Sequence, residues 1–245
     1  MQSIANSLAI IIGITGTAAL STPAKAGLSQ FSGTGTSAGV AVSSTASFLT
    51  SPGQVVLTLE NTTVHTANAG QLLTGIRFTL SPNPITTATL TSATAIPREI
   101  AADGSYVDAL AQSILGTWEG VISSGVYQLD FNPNAEFAIV GMADGETAST
   151  AGVYTANGSI NGNSGHNPFT AKSATFTLSS PEITAGTTIT GVSFIYNTGL
   201  SCVVPGTPSA PPPPLIPEPS TIGFGMAILG VCGATRRRRA NTPVC

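Results

Sequence analysis

The residues of this chain that could do chemistry are few and scattered. Its two histidines, His65 and His166, lie far apart, and no His-Glu-x-x-His, Cys-x-x-Cys or P-loop pattern accompanies them. His166 beside Asn167 could bind a metal ion, but a solvated loop side chain is the commoner role of such a residue. We therefore expect no metal site and no cofactor.

One serine stands in a pattern that is typical of hydrolases. Residues 35–39 read Gly-Thr-Ser-Ala-Gly, in which Ser37 would be the nucleophile. A nucleophile elbow needs a strand before the serine and a helix after it. Because the flanking residues are glycine, serine and threonine with no strand pattern ahead of them, we interpret the segment as a flexible leader.

A third candidate is a calcium site near the middle of the chain. Asp130, Asn132 and Asn134 have the spacing of an EF-hand start, but Ala135 replaces the glycine that this loop needs, and the twelfth position is Gly141 rather than glutamate. A turn explains these residues better than calcium binding does.

The same region holds candidates for carbohydrate chemistry. Asp130 and Glu136 could form the carboxylate pair of a glycoside hydrolase. Trp118 and Tyr127 could stack on a sugar, although core packing is the commoner role of such rings.

The most specific pattern is in the last thirty residues. Pro217, Glu218 and Pro219 are followed by an apolar run from Ile222 to Ala234 and then by a basic cluster of Arg236, Arg237, Arg238 and Arg239. The prolines keep Glu218 extended, as a processing enzyme would read it. The apolar run can enter a bilayer, and the arginines are a topological stop. An ordinary transmembrane anchor is the alternative, but it has no need for Pro-Glu-Pro, and the run is shorter than the roughly 20 residues of a spanning helix.

This tail resembles the PEP-CTERM sorting signal of Gram-negative bacteria that make extracellular polysaccharide. The resemblance covers residues 217–239, and the short extension 240–245 departs from it because most such tails end near the basic cluster. It implies that a membrane-embedded, transpeptidase-like enzyme, exosortase, recognises the tail and releases the upstream domain towards the surface.

The beginning of the chain agrees with export. An apolar stretch from Leu8 to Leu20 precedes Ala24, Lys25 and Ala26, a cleavage pattern for signal peptidase that makes Gly27 the first mature residue. Residues 1–26 are thus predicted to be a signal peptide. The stretch has no Lys or Arg before it, so an uncleaved N-terminal anchor is the alternative.

Charge and cysteine content restrict the partners of the remaining domain. Residues 27–216 hold ten acidic and three basic side chains, a net charge of −7, so we expect no nucleic-acid partner. Cys232 and Cys245 would leave with a cleaved tail, which excludes an intramolecular disulfide. The remaining Cys202 is either incidental or the site of an intermolecular disulfide or surface attachment.

The hydrophobic pattern predicts an all-β domain over residues 27–200, an antiparallel β-sandwich or jelly-roll-like fold with one short helix. Strands are expected near 55–60, 72–80, 126–131, 136–140, 174–178 and 189–196, with weaker candidates at 39–48, 86–94 and 116–122. Residues 126–131 and 136–140 are predicted to form a hairpin about the turn 132–134. The helix is expected near 104–115, where Tyr106, Leu110 and Ile114 are about one helical turn apart.

Two segments near the end of the domain complete the organisation. The Gly/Asn-rich loop 155–169 ends in Asn-Pro-Phe before two strands, an order that loosely resembles the body of many PEP-CTERM surface proteins and implies no chemistry. Residues 201–216 are predicted to be a proline-rich linker that spaces the domain from the membrane.

Two hypotheses for function follow. The first is a non-enzymatic surface or extracellular-matrix protein that is processed by signal peptidase, sorted by an exosortase-like enzyme and associated with exopolysaccharide or biofilm. The second is a carbohydrate-binding module or hydrolase that acts on the polysaccharide matrix.

Overall fold

The computed structural model describes residues 27–81, 85–131, 136–155 and 158–209, which belong to one compact unit. Within these residues the chain is almost entirely β-structure, and the one helical element is a single 3-10 turn at Ala69–Gln71. This confirms the predicted all-β class. The strands are β1 (Gly27–Ser37), β2 (Val40–Ser51), β3 (Gln54–Asn61), β4 (Leu73–Ser81), β5 (Thr89–Ile100), β6 (Tyr106–Asp108), β7 (Gln112–Ser113), β8 (Trp118–Ser123), β9 (Val126–Phe131), β10 (Ile139–Val140), β11 (Phe169–Ser179), β12 (Thr188–Tyr196), β13 (Cys202–Pro205) and β14 (Thr207–Ser209).

The fourteen strands form one connected, mixed sheet with two arms. The first arm has the order β8-β9-β4-β12-β13, and the second has the order β14-β1-β2-β3-β11-β5, with β6 and β7 on the free edge of β5. Strand β10 connects the arms because Ile139 pairs with Leu73 on β4 and with Thr170 on β11. The β10–β11 pairing is parallel, and the other strand pairings are antiparallel.

The hydrophobic core contains side chains from both arms. The rings of Phe48 on β2 and Phe78 on β4 have centroids 4.9 Å apart, and so do the rings of Trp118 on β8 and Phe176 on β11. These strands are not hydrogen-bonded to each other, so the ring contacts are side-chain contacts between the two arms. Buried residues alternate with more exposed ones along the longer strands, such as β2, β3 and β9, and this is the period of two that the sequence analysis used to predict strands.

Strand β1 corrects the prediction of a flexible leader. It pairs with β2 along its full length, from Gly27 with Thr50 to Ser37 with Val40. Ala38 and Gly39 form the two-residue connection with φ of 50° and 80°, the backbone that a tight hairpin turn requires. The segment that resembled a nucleophile elbow is therefore a hairpin turn, with a strand and not a helix after Ser37.

The predicted hairpin about residues 132–134 is also wrong. Strand β9 forms its hairpin with β8, through Ser124 and Gly125 at φ of 52° and 77°. Strands β9 and β10 both pair with β4 instead of with each other. The turn 132–134 itself lies outside the described residues.

The predicted helix at 104–115 is replaced by the short strands β6 and β7, which both pair with β5. Three residues expected on one helical face have different environments, because Tyr106 is half-buried, Leu110 is 89% exposed and Ile114 is buried. Hydrogen bonding to the edge of β5 therefore prevails over the local helix propensity of residues 107–112.

The sheet continues past residue 200, where the sequence suggested that the linker begins. Strand β13 pairs with β12, and β14 pairs with β1 through Gln30 with Ser209 and Ser32 with Thr207. No helix in residues 27–209, as far as the structure describes them, has the length and apolar character needed to cross a membrane. The predicted signal peptide (1–26) and sorting signal (217–239) lie outside the described residues, as does the extension 240–245.

Candidate functional site

The most elaborate polar arrangement in the described residues surrounds Arg98, at the end of β5. The Nε and one Nη2 hydrogen of Arg98 donate to the Asp108 carboxylate at 2.6 and 2.8 Å. Nη1 and Nη2 also donate to the two carboxylate oxygens of Glu146, at 2.9 and 3.0 Å. The remaining Nη1 hydrogen donates to the Tyr154 hydroxyl at 2.8 Å. All five N–H donors of the guanidinium are thus used.

Two tyrosines complete the surroundings of the guanidinium. The Arg98 Cζ lies 3.8 Å from the centroid of the Tyr106 ring, which is a close cation–π contact. The Tyr154 hydroxyl in turn donates to the carbonyl oxygen of Gly141 at 2.8 Å. Arg98 is 1% exposed, and its two carboxylate partners let it stay charged there.

Glu146 is held by a second cation. Strand β11 is irregular between Thr170 and Ala174, and Lys172 has a φ of 59° at this point. Lys172 Nζ lies 3.1 Å from Glu146 Oε1, and the Ala143 N–H donates to Glu146 Oε2 at 2.9 Å. We call Arg98, Asp108, Glu146, Lys172, Tyr106 and Tyr154 the Arg98 cluster.

The charges of the cluster shift the pKa values of its members. Burial alone would raise the pKa of Glu146, but the hydrogen bonds from Arg98, Ala143 and Lys172 outweigh burial and lower this pKa to about 2. Burial would lower the pKa of Arg98, and Asp108 and Glu146 raise it above its usual value instead. Burial raises the pKa of Tyr154. At neutral pH Glu146 is therefore ionised and Arg98 is charged, and the two form a fixed ion pair.

Sequence reasoning missed this cluster. Its members come from β5, β6, β11 and the segment between β10 and β11, so no local spacing brings them together. The one signal in the sequence was the rarity of basic residues. Residues 27–216 contain just three of them, Arg77, Arg98 and Lys172. Two of these three belong to the cluster.

A shallow groove of about 370 Å³ lies beside the cluster and is lined by residues that include Glu99, Tyr106, Val107 and Asn167. Asn167 is itself engaged, since its amide exchanges two hydrogen bonds with the backbone of Ile100, at 3.0 and 2.9 Å. Glu99 is the one carboxylate in the lining. The groove can offer hydrogen bonds to a ligand, but it lacks the second carboxylate that glycoside hydrolysis uses.

The aromatic candidates for sugar stacking lie inside the core. Trp118 and Tyr127 are each 1% exposed. Trp118 Nε1 donates to the carbonyl oxygen of Phe137 at 3.1 Å. Among the Phe, Tyr and Trp residues that the structure describes, Tyr106 alone is not buried, and Arg98 covers one face of its ring. The described surface therefore has no platform of several rings on which a sugar could stack.

Asp130, one of the two carboxylates proposed for hydrolysis, lies beside a third carboxylate. It lies opposite Glu119 in the β8–β9 ladder, and Gln128 donates a short hydrogen bond to it. Burial raises the pKa of Asp130, and the negative charge of Glu119 adds to this, whereas Gln128 and the positive charge of Arg77 oppose it. Asn132 and Asn134, the other residues of the proposed calcium pattern, lie outside the described residues.

The histidines and Ser37 do not form a catalytic group. His65 Nδ1 lies 2.6 Å from Asp144 Oδ1, with both side chains more than half exposed. His166 is near the ring of Phe169, with centroids 6.4 Å apart. Ser37 is 1% exposed at its hairpin turn. In the part of the chain that the structure describes, no group of three or more His, Cys, Asp or Glu residues could hold a metal ion.

Two further residues considered in the sequence analysis, Cys202 and Gly27, lie in the part of the chain that the structure describes. Cys202 is a half-buried free thiol whose Sγ donates to the carbonyl oxygen of Thr36 at 3.3 Å. Gly27 is exposed at the start of β1. The predicted signal-cleavage residues Ala24 and Ala26, the recognition residues 217–219 and the arginines 236–239 lie outside the described residues.

Neither a family model nor a curated protein matches this chain.

Proposed function

We propose that this chain is an exported protein of the cell surface or extracellular matrix. In this proposal signal peptidase cleaves after Ala26, and an exosortase-like membrane enzyme recognises Pro217, Glu218 and Pro219 in a PEP-CTERM-type tail. The observation that carries the proposal is the order of three elements in residues 217–239, a rigid Pro-Glu-Pro, an apolar run and four arginines. A protein anchored permanently in the membrane needs the last two elements but not the first.

The domain that is delivered is, in this proposal, a β-sandwich formed by the two arms of the sheet. The ring contacts between Phe48 and Phe78 and between Trp118 and Phe176 support two layers around a common core. Disulfides often cross-link distant segments of exported domains. In this proposal the Arg98 cluster has that role, because its hydrogen bonds and ion pairs connect residues 98, 108, 146, 154 and 172 without cysteine. In this proposal the folded domain needs no intramolecular disulfide.

We further propose that the domain is non-enzymatic and that its surroundings are extracellular polysaccharide. The burial of Trp118 and Tyr127 supports this proposal over the alternative of a carbohydrate-binding module, because neither ring is exposed to stack on a sugar. Contact with polysaccharide would have to use hydrogen bonds, for which the groove beside Glu99 and the many surface hydroxyls are suitable.

Cell fractionation tests the proposal. The full chain is expressed in two otherwise identical hosts, one with and one without an exosortase-like enzyme. We expect the domain to leave the inner membrane only in the first host and to have lost Cys245. Equal retention of the full-length chain in both inner membranes would contradict sorting.

A further inference from the structure

Two Asp-Gly dipeptides lie in the described part of the domain, and their surroundings differ. Asp144 precedes Gly145 in the segment between β10 and β11, and Asp103 precedes Gly104 between β5 and β6. In this dipeptide the backbone nitrogen of glycine can attack the side-chain carboxyl group of aspartate, because glycine has no Cβ to obstruct the approach. The reaction therefore depends on how firmly the structure holds the carboxyl group and the glycine N–H.

Asp144 and Gly145 are the exposed central residues of a β-turn. The Glu146 N–H donates to the carbonyl oxygen of Ala143 at 3.2 Å, and Gly145 has a φ of 73°. Among the described residues the Gly145 N–H has no hydrogen-bond acceptor, and a Cβ added to Gly145 would meet no atom within 4 Å. The attacking nitrogen is therefore unbonded and open to solvent.

The Asp144 carboxyl group is held by one exposed partner in the part of the chain that the structure describes. His65 Nδ1 lies 2.6 Å from Asp144 Oδ1, and the two side chains are 63% and 54% exposed. An ion pair in contact with water contributes roughly 0–1 kcal/mol. This pair therefore does not prevent the carboxyl group from rotating towards Gly145.

The dipeptide at Asp103 is protected at both reacting groups. Asp103 Oδ1 accepts hydrogen bonds from the N–H and the hydroxyl of Ser105, at 3.0 and 2.6 Å. These bonds lower the pKa of Asp103 and so favour its ionised form, which resists attack. The Gly104 N–H donates to the carbonyl oxygen of Ala101 at 3.0 Å, and Gly104 is buried. Asp103 is thus an internal control with the same dipeptide sequence.

We propose that Asp144 is a site of spontaneous conversion to isoaspartate in the folded domain. The carboxyl group reacts in its protonated form, with the proton coming from solvent. The Gly145 nitrogen forms a bond to Cγ of Asp144, and the nitrogen's hydrogen leaves with the carboxyl hydroxyl as water. Water then opens the resulting succinimide at the carbonyl on the Cα side, so the main chain passes through Cγ and gains one methylene. This conversion needs no enzyme and does not depend on the sorting proposal.

The product would disturb the Arg98 cluster. Glu146 follows Asp144 by two residues, its Oε2 accepts the Ala143 N–H at 2.9 Å, and both its carboxylate oxygens bind Arg98. The backbone here has no space for an added methylene, because a Cβ on Gly152 would already clash with the Asp144 carbonyl oxygen and the Glu146 nitrogen. We therefore expect isoaspartate at position 144 to move Glu146 away from Arg98 and to destabilise the domain.

Peptide mapping of the full-length chain tests the site. The protein is kept in detergent micelles at neutral pH for several weeks, with a parallel sample in concentrated urea, and both are digested with chymotrypsin, which cleaves after aromatic residues. Cleavage after Tyr106 and Phe137 separates Asp103 from Asp144, and cleavage after Tyr154 removes the Asn-Gly pairs that follow. Electron-transfer fragmentation then distinguishes isoaspartate from aspartate in each peptide.

We expect isoaspartate to accumulate several-fold faster at Asp144 than at Asp103 in the folded protein. In urea the two rates should be similar, because the fold no longer distinguishes the two dipeptides. Equal rates in the folded protein, or a faster rate at Asp103, overturn the proposal. Accumulation at Asp144 in urea but not in the folded protein also overturns it, because the fold would then protect this site.

The variant Asp144→Glu tests the effect on stability. It keeps the negative charge beside His65, but its longer side chain would have to close a larger ring, which forms far more slowly. Stored wild-type protein should unfold at a lower urea concentration than fresh wild type, whereas stored and fresh Asp144→Glu should unfold alike. If the stored wild type contains isoaspartate at position 144 and still unfolds like the fresh protein, the proposed effect on the Arg98 cluster is wrong.

Discussion

Arg98 and Glu146 form a bidentate ion pair between groups that are 48 residues apart in the chain, with N–O distances of 2.9 and 3.0 Å. Both side chains are almost fully buried, at 1% and 3% exposure. Because each compensates the charge of the other away from water, neither can be removed without leaving a buried charge. This pair is the centre of the cluster that joins β5 to the segment after β10.

Replacing Arg98 by methionine should destabilise the domain strongly. The change keeps much of the side-chain volume but leaves Glu146 buried with only Lys172 as a cationic partner. We expect a loss of about 3–5 kcal/mol in the free energy of unfolding, measured by urea denaturation. The matched control is Arg77→Met, which removes a half-buried arginine hydrogen-bonded to Gln128 and should cost about 1 kcal/mol or less. Equal losses in the two variants would contradict a special role of the cluster.

Glu146 should make the stability depend on pH in the acid range. Its pKa is about 2 in the folded protein against 4.5 as the reference value. The folded state therefore binds the proton less tightly than the unfolded state, so the contribution of Glu146 is complete above pH 4.5 and is lost as the pH falls towards 2. The loss should be roughly 3 kcal/mol. Urea denaturation at several pH values should show a smaller dependence in Glu146→Gln than in the wild type, and parallel curves would refute this assignment.

The neighbours of Asp130 can be identified by titration. Burial and Glu119 raise the pKa of Asp130, so Glu119→Gln should lower it by removing a negative charge from the facing strand. Glu136→Gln, which removes the partner expected from the sequence, should leave the Asp130 titration unchanged. Carbon NMR of the Asp130 carboxyl group across the acid pH range measures both. If Glu136→Gln changed the pKa of Asp130 and Glu119→Gln did not, the neighbour of Asp130 would be Glu136, as the sequence suggested.

Glycine in β1 makes a close packing contact that can be tested separately. A Cβ on Gly33 would lie 2.6 Å from a ring carbon of Phe194, which is fully buried. Gly33→Ala should therefore cost about 1–3 kcal/mol by overpacking, whereas Gly186→Ala, where the nearest atom is 3.9 Å away, should have little effect. The comparison is made by thermal unfolding of the two variants. A Gly33→Ala protein that unfolds at the same temperature as the wild type would contradict the close packing of Gly33 against Phe194.

Glycine also explains why the sequence does not predict strand β1. Strands such as β4 and β12 were predicted because large apolar residues alternate with polar ones along them. On β1 the inward positions include Gly33 and Gly35, which pack beneath Phe194 and Val204 of the other arm. With glycine at these two inward positions the sequence has no hydrophobic alternation there, so its pattern resembles a flexible segment.

Long-range pairing accounts for the other differences. Asn-Pro-Asn at 132–134 is a good turn sequence, yet β9 pairs with β8 through Ser124 and Gly125, and β4 lies on its other side. Helix propensity at 107–112 was overridden by the open edge of β5. The Arg98 cluster depends on both effects, because Asp108 reaches Arg98 only when β6 is a strand beside β5. Local patterns carry no information about such partners.

The central proposal is sorting through the tail, and intact mass measurement tests it most directly. Pro217, Glu218 and Pro219 are changed together to alanine in a host that has an exosortase-like enzyme, and the variant is compared with the wild type. The account predicts that the wild type loses its tail and leaves the inner membrane, while the variant keeps every residue to Cys245 and accumulates there, because its apolar run and arginines are intact. If both proteins keep Cys245 and stay in the inner membrane, the tail is a plain anchor and the sorting proposal is wrong.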